Sequence, residues 1–463
     1  MKTPNSLHLK LLLAATLSFS HGCATLPDVA RMTDEAPTAQ TPRPIVSSRG
    51  AVSARQSEAI MERLKRSVDP TDLLERHSAV VEMVTESPLT KGNSVILLTD
   101  GQATYAAMFK VIEQARRHIH LESYIFEGDE TGRKFAALLL KKRAEGVMVR
   151  VIYDSMGSIN TPDSFFEALR AGGVEVIGFN PVNPLKVVEK WSLTQRDHKK
   201  ILIADGKTAI IGGINISKVY SSSPRRRKHG GKPPIHWRDT DIRIEGPAVA
   251  ELQKLFLETW RKQKGPELTD ADHFPNRQEK GKVLVRVIGS TPGETNRLPF
   301  IVYVSAISFA EHSVHLTSSY FIPDDQVVEA LSDAARRGVD VKIILPGNTD
   351  SKLALHAQRH HYSRLLESGV KIYEHGTSLL HAKTAVIDNV WSTVGSTNLD
   401  FLSLLHNDEV NAVILNKEFA AEMEQMFVGD LAQSKQITLE DWRKRPVLPA
   451  IKDWFVNLFI RWL

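Results

Sequence analysis

The sequence predicts an α/β protein built from two copies of one unit, and three observations carry that prediction. Apolar strand-like runs alternate with amphipathic helical runs from Val95 onward. The order of landmarks in the first half recurs in the second, and each half holds one histidine–lysine motif of the same spacing. At 463 residues the chain is also too long for one ordinary core.

Taken in order, VILLT from Val95 reads as a buried strand, TYAAMFKVIEQARR as an amphipathic helix and HIHLESYIF as a second strand. FAALLLKKRAEG ends as a helix does, at Gly146, and VMVRVIYD follows as a strand. The series then repeats. HLESYIF at His120 is answered by HLTSSYFIP at His315. AEGVMVRVIYD is answered by RRGVDVKIILP, with Gly146 and Gly338 192 residues apart. AGGVEVIGF is answered by ESGVKIYEH 196 residues on, and the motif at His198 by the one at His381, 183 residues on. The shorter last offset places extra residues of the first half in NPVNPLKVVEKWSLTQ. A repeat of this length is a domain duplication and no solenoid. Alternating strands and helices imply largely buried sheets, and two such units facing each other would share one site at their seam.

The ends carry other signals. MKTPNSLHLKLLLAATLSFSHG has a basic start and an apolar core from Leu11 to Phe19, too short to span a bilayer, so it reads as a signal peptide. The chain's single cysteine, Cys23, follows it and excludes a disulfide framework. A signal ending in Gly-Cys resembles that of bacterial lipoproteins, although Ser20 stands where that pattern usually has leucine. The resemblance implies a lipidated Cys23 and an exported protein anchored on the periplasmic side. Residues 24 to about 50 read as a Pro/Thr/Ser-rich tether. The expected divisions are a signal at 1–22, a tether and N-terminal helix at 23–70, two domains at 71–275 and 276–450, and an amphipathic tail at 451–463.

The motifs hold the chemistry. RDHKKILIADGKTAIIGGINIS and HAKTAVIDNVWSTVGSTNLD both read H-x-K-x4-D-x6-G-[GS]-x-N. His198 and Lys200, like His381 and Lys383, are two apart on a strand and so share a face. Asp205-Gly206 signals a hairpin whose return strand delivers Asn215, as Asn398 is delivered in the second copy. One such motif is weak evidence, but two in register with an independent repeat are specific. The pair resembles the HKD signature of the phospholipase D superfamily. With HWRDTDIRIEGPAVAELQKLFLETW after the first motif and SSYFIPDD before the second, the chain is similar to bacterial cardiolipin synthases over residues 85 to 446.

The resemblance implies a duplicated phospholipase D-like fold, two mixed-sheet domains flanked by helices with one active site at their interface. It also implies a covalent phosphohistidine, with His198 as nucleophile and His381 as general acid and then base. The motifs' symmetry leaves the opposite assignment physically open. Phosphodiester cleavage needs a nucleophile, a proton donor and cations around the phosphoryl oxygens. Lys200 and Lys383, with the amides of Asn215 and Asn398, supply the last, so neither metal nor other cofactor is expected. Asp205 and Asp388 complete the catalytic motifs but sit in turns and read as anchors. A reactive imidazole needs its other nitrogen held by an acceptor, and Asp241 and Glu409 on the following strands are the candidates.

Three features bear on the substrate. The net charge of +5 fits an anionic partner. The run Arg225, Arg226, Arg227 and Lys228 suits lipid headgroups or a nucleic-acid backbone alike, but without interleaved aromatics it forms no base-stacking platform. IKDWFVNLFIRWL reads equally as an interfacial helix or a helix packed on the core. The expected partners are therefore a membrane surface and anionic phospholipids, phosphatidylglycerol first among them, with nucleic acid disfavoured. The expected function is phosphatidyl transfer of the cardiolipin synthase type. The alternatives are a hydrolase releasing phosphatidic acid or, further off, a nuclease of the same superfamily.

Overall fold

The structure, a computed structural model, describes residues 26–35, 44–181, 195–221, 237–268, 273–275, 278–292, 297–446 and 456. The signal, Cys23, the basic run at 225–228 and all of the tail except Val456 lie outside the described residues.

The first half supplies seven long strands: β1 (Leu89–Leu98), β2 (His118–Ser123), β3 (Met148–Asp154), β4 (Glu175–Phe179), β5 (Lys200–Ala204), β6 (Thr208–Gly212) and β7 (Asp241–Glu245). They form a sheet in the order β4-β3-β2-β5-β6-β7-β1, parallel from β4 to β2 and antiparallel beyond. The second half repeats it with β8 (Val283–Ser290), β9 (Ser313–Ser318), β10 (Asp340–Pro346), β11 (Lys371–His375), β12 (Lys383–Ile387), β13 (Trp391–Gly395) and β14 (Asn407–Leu415). Their order is β11-β10-β9-β12-β13-β14-β8, with β15 (Ser434–Ile437) added antiparallel to β11.

Helices cover the sheets in matching places. The first half has α1 (Gly101–Gln114), α2 (Glu130–Ala144), α3 (Asp163–Ala171) and α4 (Val249–Lys262). The second has α5 (Leu298–Ser308), α6 (Asp325–Arg336), α7 (Lys352–His360), α8 (Tyr362–Glu367) and α9 (Lys417–Leu431). Gly146 and Gly338, just past α2 and α6, have φ of +88° and +95°, the left-handed ending that the two sequences predict.

Strand alternation assigns the layers. On β5, Leu202 and Ala204 face the core under α1–α3, whereas Ile201 and Ile203 face a central core between the sheets. That central core also takes Val386, Val394, Val410, Ala412 and Ile414 from the second sheet, with Phe256 and Trp260 of α4 and Met423 of α9. The halves are thus joined by a common apolar layer.

Two expectations need correction. Strand β1 begins at Leu89, six residues before the apolar run VILLT. Its polar first part, LTKGN, pairs with β8 of the other half, while Ser94–Leu98 pair with β7. Hydrophobic pattern does not report such a shared strand. The expected tether is also partly ordered: Val29 and Ile45 are fully buried in the second-half core, and Ile45 and Val46 run parallel to Leu89 and Thr90. Single apolar residues between prolines are too sparse to show periodicity.

The two motif turns are built alike. Asp205 and Asp388 have φ of +54° and +49° at the tips of the β5–β6 and β12–β13 hairpins. The Asp205 carboxylate accepts from the backbone N–H groups of Arg116, Arg117 and His118 (2.7–3.1 Å). Asp388 accepts from those of Glu311, His312 and Ser313 (2.8–3.0 Å). Each carboxylate satisfies the chain where it enters β2 or β9, so both are anchors. Asp205→Ala leaves these donors unpaired and should cost on the order of 3 kcal/mol, with Asp205→Asn costing about 1 kcal/mol. Urea unfolding checks this: the midpoint should fall in that order with an unchanged slope.

Candidate active site

The site lies at the carboxyl ends of the parallel strands β2–β4 and β9–β11, the usual end for ligands in such sheets. His198 lies two residues before the start of β5, and Lys200, its first residue, pairs with Ser123 at the end of β2. Lys383 pairs likewise with Ser318 at the end of β9, bringing His381 to the same end of the second sheet. A cavity of about 650 Å³ is lined by His198, His381, Asn215 and Asn398 together, with Tyr124, Trp237 and Tyr320 around them.

The halves exchange their supports. The His198 backbone N–H donates to the Asp408 carbonyl (2.9 Å), and that of His381 to the Arg238 carbonyl (2.7 Å). Short parallel pairings run alongside: Arg196–Asp197 with Asn407–Asp408, and Trp237–Arg238 with Leu379–Leu380. Arg238 also clasps Asp430 of α9 through two bonds of 2.7 and 2.8 Å.

The carboxylates cross in the same way. His198 Nδ1 is 3.0 Å from both oxygens of Glu409, which belongs to the second half. His381 Nδ1 is 2.6 Å from Asp239, which belongs to the first. With Nδ1–H committed to a carboxylate, the free lone pair of each ring is on Nε2.

Asp239 replaces the expected Asp241. The carboxylate of Asp241 instead accepts from the Ile214 N–H (3.1 Å). Asn411 accepts from the Thr397 N–H in the other half (3.2 Å), and pairs with Gly395 as Asp241 pairs with Gly212. Register therefore equates Asp241 with Asn411, and Asp239 with Glu409. Burial pushes the Asp241 carboxyl well above its ordinary range, which favours the uncharged form and brings it closer in character to the amide opposite. The carboxylates also differ in length, and their surroundings fit them. A Cβ at Gly213 would lie 2.2 Å from Asp239, whereas Ser396, the matching residue, donates to Glu409.

Both lysines stand behind the cavity surface, with Lys200 Nζ donating to the His198 carbonyl and Lys383 Nζ to that of His381. Burial, which penalises the ammonium, pushes Lys200 down to about 7 and Lys383 down to about 8. Burial also pushes His381 down to about 4, helped by Lys383, and lowers His198. Burial alone would raise Glu409, but His198, Lys200 and Ser396 outweigh it and hold the carboxyl below its usual range.

The asparagines are braced for the cavity. Asn215 Oδ1 accepts from the Ile125 N–H (3.0 Å), and Asn398 Oδ1 from the Ser319 hydroxyl (2.6 Å). Their amide N–H groups are turned toward Tyr220 and Ser403 (3.2 and 3.3 Å). Asp205 and Asp388 do not line the cavity.

Sequence reasoning missed Asp239, although it stands within HWRDTD two residues before the candidate chosen. It also missed the aromatic walls. Tyr124 meets the His198 ring edge-on at 5.0 Å, and Trp237 lies 4.9 Å from the His381 ring. Their signal would have been position, since Tyr124 follows the Ser123 that pairs with Lys200.

Among the described residues one grouping has metal-ligand spacing: His118, His120 and His273, with donor atoms within 4.8 Å of one another. Gln253 holds His118 at 3.3 Å and His120 at 2.7 Å, and Arg150 lies 3.3 Å from the other His120 nitrogen. None of the three lines the cavity, and a cation beside a guanidinium is disfavoured.

Two histidine–lysine motifs, one from each copy of a duplicated α/β unit and meeting at one cavity, define a phospholipase D-type protein. Within that class the chain belongs to the cardiolipin synthase family: the pattern described as "Cardiolipin synthase, PLD-like domain" matches residues 108–223 and 303–431. It is 34% identical over 372 residues to a cardiolipin synthase of Geobacillus kaustophilus, covering 80% of this chain and 72% of that one. With a cardiolipin synthase of Listeria innocua it shares 35% over 404 residues, covering 87% and 82%. The fold is also that of the phosphatidylserine synthase of Haemophilus influenzae Rd KW20, with a TM-score of 0.60 at 13% identity over 84% of this chain and 98% of that one.

The register makes a sharp prediction for phosphodiester turnover. Asp239→Asn should lower kcat by roughly 100-fold or more, because an amide neither fixes the tautomer nor stabilises the imidazolium. Asp241→Asn keeps the acceptor for Ile214 and should stay within about threefold, as expected where a buried hydrogen bond is retained. Steady-state kinetics of the two variants side by side would reverse the assignment if Asp241→Asn proved the more damaging.

Proposed function

We propose that the protein is a membrane-associated phosphatidyltransferase of the cardiolipin synthase type. The observation that carries this reading is the pair of imidazoles at one cavity, each held at Nδ1 by a carboxylate of the opposite half. Relatives named cardiolipin synthase over most of the chain support the substrate class.

In this reading Nε2 of His198 attacks the phosphorus of a bound phospholipid. The bond to the headgroup oxygen breaks, and a proton from His381 goes to that oxygen. The hydroxyl of phosphatidylglycerol then attacks the phosphohistidine and gives its proton to His381, while the P–N bond breaks and Nε2 recovers its electron pair. Cardiolipin is released with both rings as they began; water in place of the acceptor gives phosphatidic acid.

His381 must first acquire its proton. An anion about 4 Å away in an effective dielectric near 20 is worth roughly 4 kcal/mol, enough to lift a group at about 4 to near neutrality. The lysine ammoniums, close behind the rings, and the two asparagine amides supply the charge and donors for the phosphoryl oxygens.

Membrane association is part of this reading. No helix among the described residues is long and apolar enough to cross a bilayer. A lipid on Cys23, on the periplasmic side, would provide the anchor, and incorporation of labelled palmitate lost in Cys23→Ser tests it.

The enzyme should convert phosphatidylglycerol vesicles to cardiolipin in chelator-containing buffer, read by mass spectrometry. His198→Ala and His381→Ala should each reduce the rate at least ~10⁴-fold, because groups that act as a unit fail together. Acid-labile phosphate should accumulate on His198 in the His381→Ala variant; accumulation on His381 in the reciprocal variant would swap the roles. Phosphatidic acid as the only product would make the protein a hydrolase.

The pH dependence follows from the lysines. Their lowered values mean that the ammonium is lost as pH rises through about 7 to 8, whereas bound phosphate favours the charged form. kcat/KM should therefore fall on the basic side across that window, and kcat should fall only at higher pH.

A further inference from the structure

The cavity that holds the histidines has exposed aliphatic side chains in its lining, with the exposed Asn160 and Asp350 beside them. Large hydrophobic side chains left in water are few among the described residues, and three of them ring this opening: Ile159 at 58% exposed, Leu353 at 52% and Leu402 at 40%. They come from three separate segments of the chain. Ile159 lies in the turn between β3 and α3, Leu353 in the first turn of α7 just after β10, and Leu402 in the segment that follows β13. Ile159 follows β3 and Leu353 follows β10, equivalent strands of the two halves, so each half contributes an exposed aliphatic side chain to the lining. Three of the seven exposed large hydrophobics among the described residues thus converge on one opening.

The floor of the same cavity is polar, with His198, His381, Asn215 and Asn398, while its walls include Ile125, Met156 and Ile322. A phosphodiester on the histidines and hydrocarbon at the mouth is the polarity order of a phospholipid entering headgroup first.

We propose that Ile159, Leu353 and Leu402 form a docking rim that inserts into the hydrocarbon edge of a phospholipid bilayer and seats the cavity mouth on the membrane. The proposal rests on the lipid-transfer reading for the identity of the surface, and on the geometry alone for the residues. The rim removes its own apolar surface from water on docking. A substrate then moves from bilayer to cavity without its acyl chains crossing water. The bound enzyme is oriented by three points, which a flexible lipid anchor cannot do.

Single cysteines test this in a Cys23→Ser background. Ile159→Cys, Leu353→Cys and Leu402→Cys are each labelled with an environment-sensitive fluorophore and titrated with mixed phosphatidylglycerol/phosphatidylcholine vesicles. Met83→Cys serves as control. Met83 is 53% exposed but precedes the amino end of β1, whose other end, Leu98, pairs with Asp241 beside the site.

The rim labels should shift to the blue with vesicles and the label at 83 should not. In sedimentation, the combined Ile159→Asp, Leu353→Asp and Leu402→Asp variant should bind the vesicles at least ~10-fold more weakly, a loss of about 1.4 kcal/mol or more. Equal shifts at all four positions, or none at the rim, would overturn the proposal. The wild-type product assay on the same vesicles separates the two readings. Cardiolipin formed without a rim shift removes the rim alone, whereas a rim shift with no lipid product from any donor keeps the rim and removes the transferase.

Discussion

Everything at the centre of this protein depends on one crossed interaction: each histidine of the pair is held by a carboxylate from the half that did not supply it. Glu409 reaches His198 and Asp239 reaches His381, and each exchange is accompanied by a backbone hydrogen bond and a short parallel pairing across the seam. An isolated half would expose a histidine without its acceptor and a buried carboxylate without its donor, and the latter is the costlier defect. The duplication is therefore more than a doubling of parts. It lets two like units orient each other's reactive group, with a shared apolar layer packed between the sheets.

Within this frame the stretch from His198 to Lys200 treats its charges in two ways. His198 and Lys200 point to the cavity side. Lys199 points to the other face, where Glu122 at 2.7 Å and Asp197 at 3.1 Å receive it, and those carboxylates raise its affinity for a proton although burial opposes them. Lys200, equally buried but bonded only to a carbonyl and near a second lysine, is pushed down instead. The paired charge belongs to the scaffold. The underpaired one is poised for an anion, and perturbation of this kind collects at functional sites.

The polarity of the cavity continues that logic outward. Cations and amides lie at its floor, aromatic rings stand against the histidines, and aliphatic side chains ring the mouth. Tyr124 and Trp237 present ring carbon surface to the imidazoles, an arrangement that reduces the room for water beside them.

What the sequence determined by itself was whatever is periodic or local. The duplication, the strand–helix alternation, the left-handed hairpin turns at Asp205 and Asp388, and the two motifs with their asparagines are all encoded within short windows, and each window repeats. What only the tertiary structure decided was long-range register. The choice of Asp239 over Asp241 depends on which residue pairs with Gly212, a relation between strands nearly thirty residues apart. Both carboxylates lie on the same face, so a strand pattern cannot separate them. The polar start of β1 became a strand because β8 lies beside it, and Val29 and Ile45 became core because the second half offered them a surface. The crossing itself is the clearest case. Within each half the sequence places a histidine and a carboxylate in order, as if they were partners, and only the packing of one half against the other makes each the partner of its counterpart.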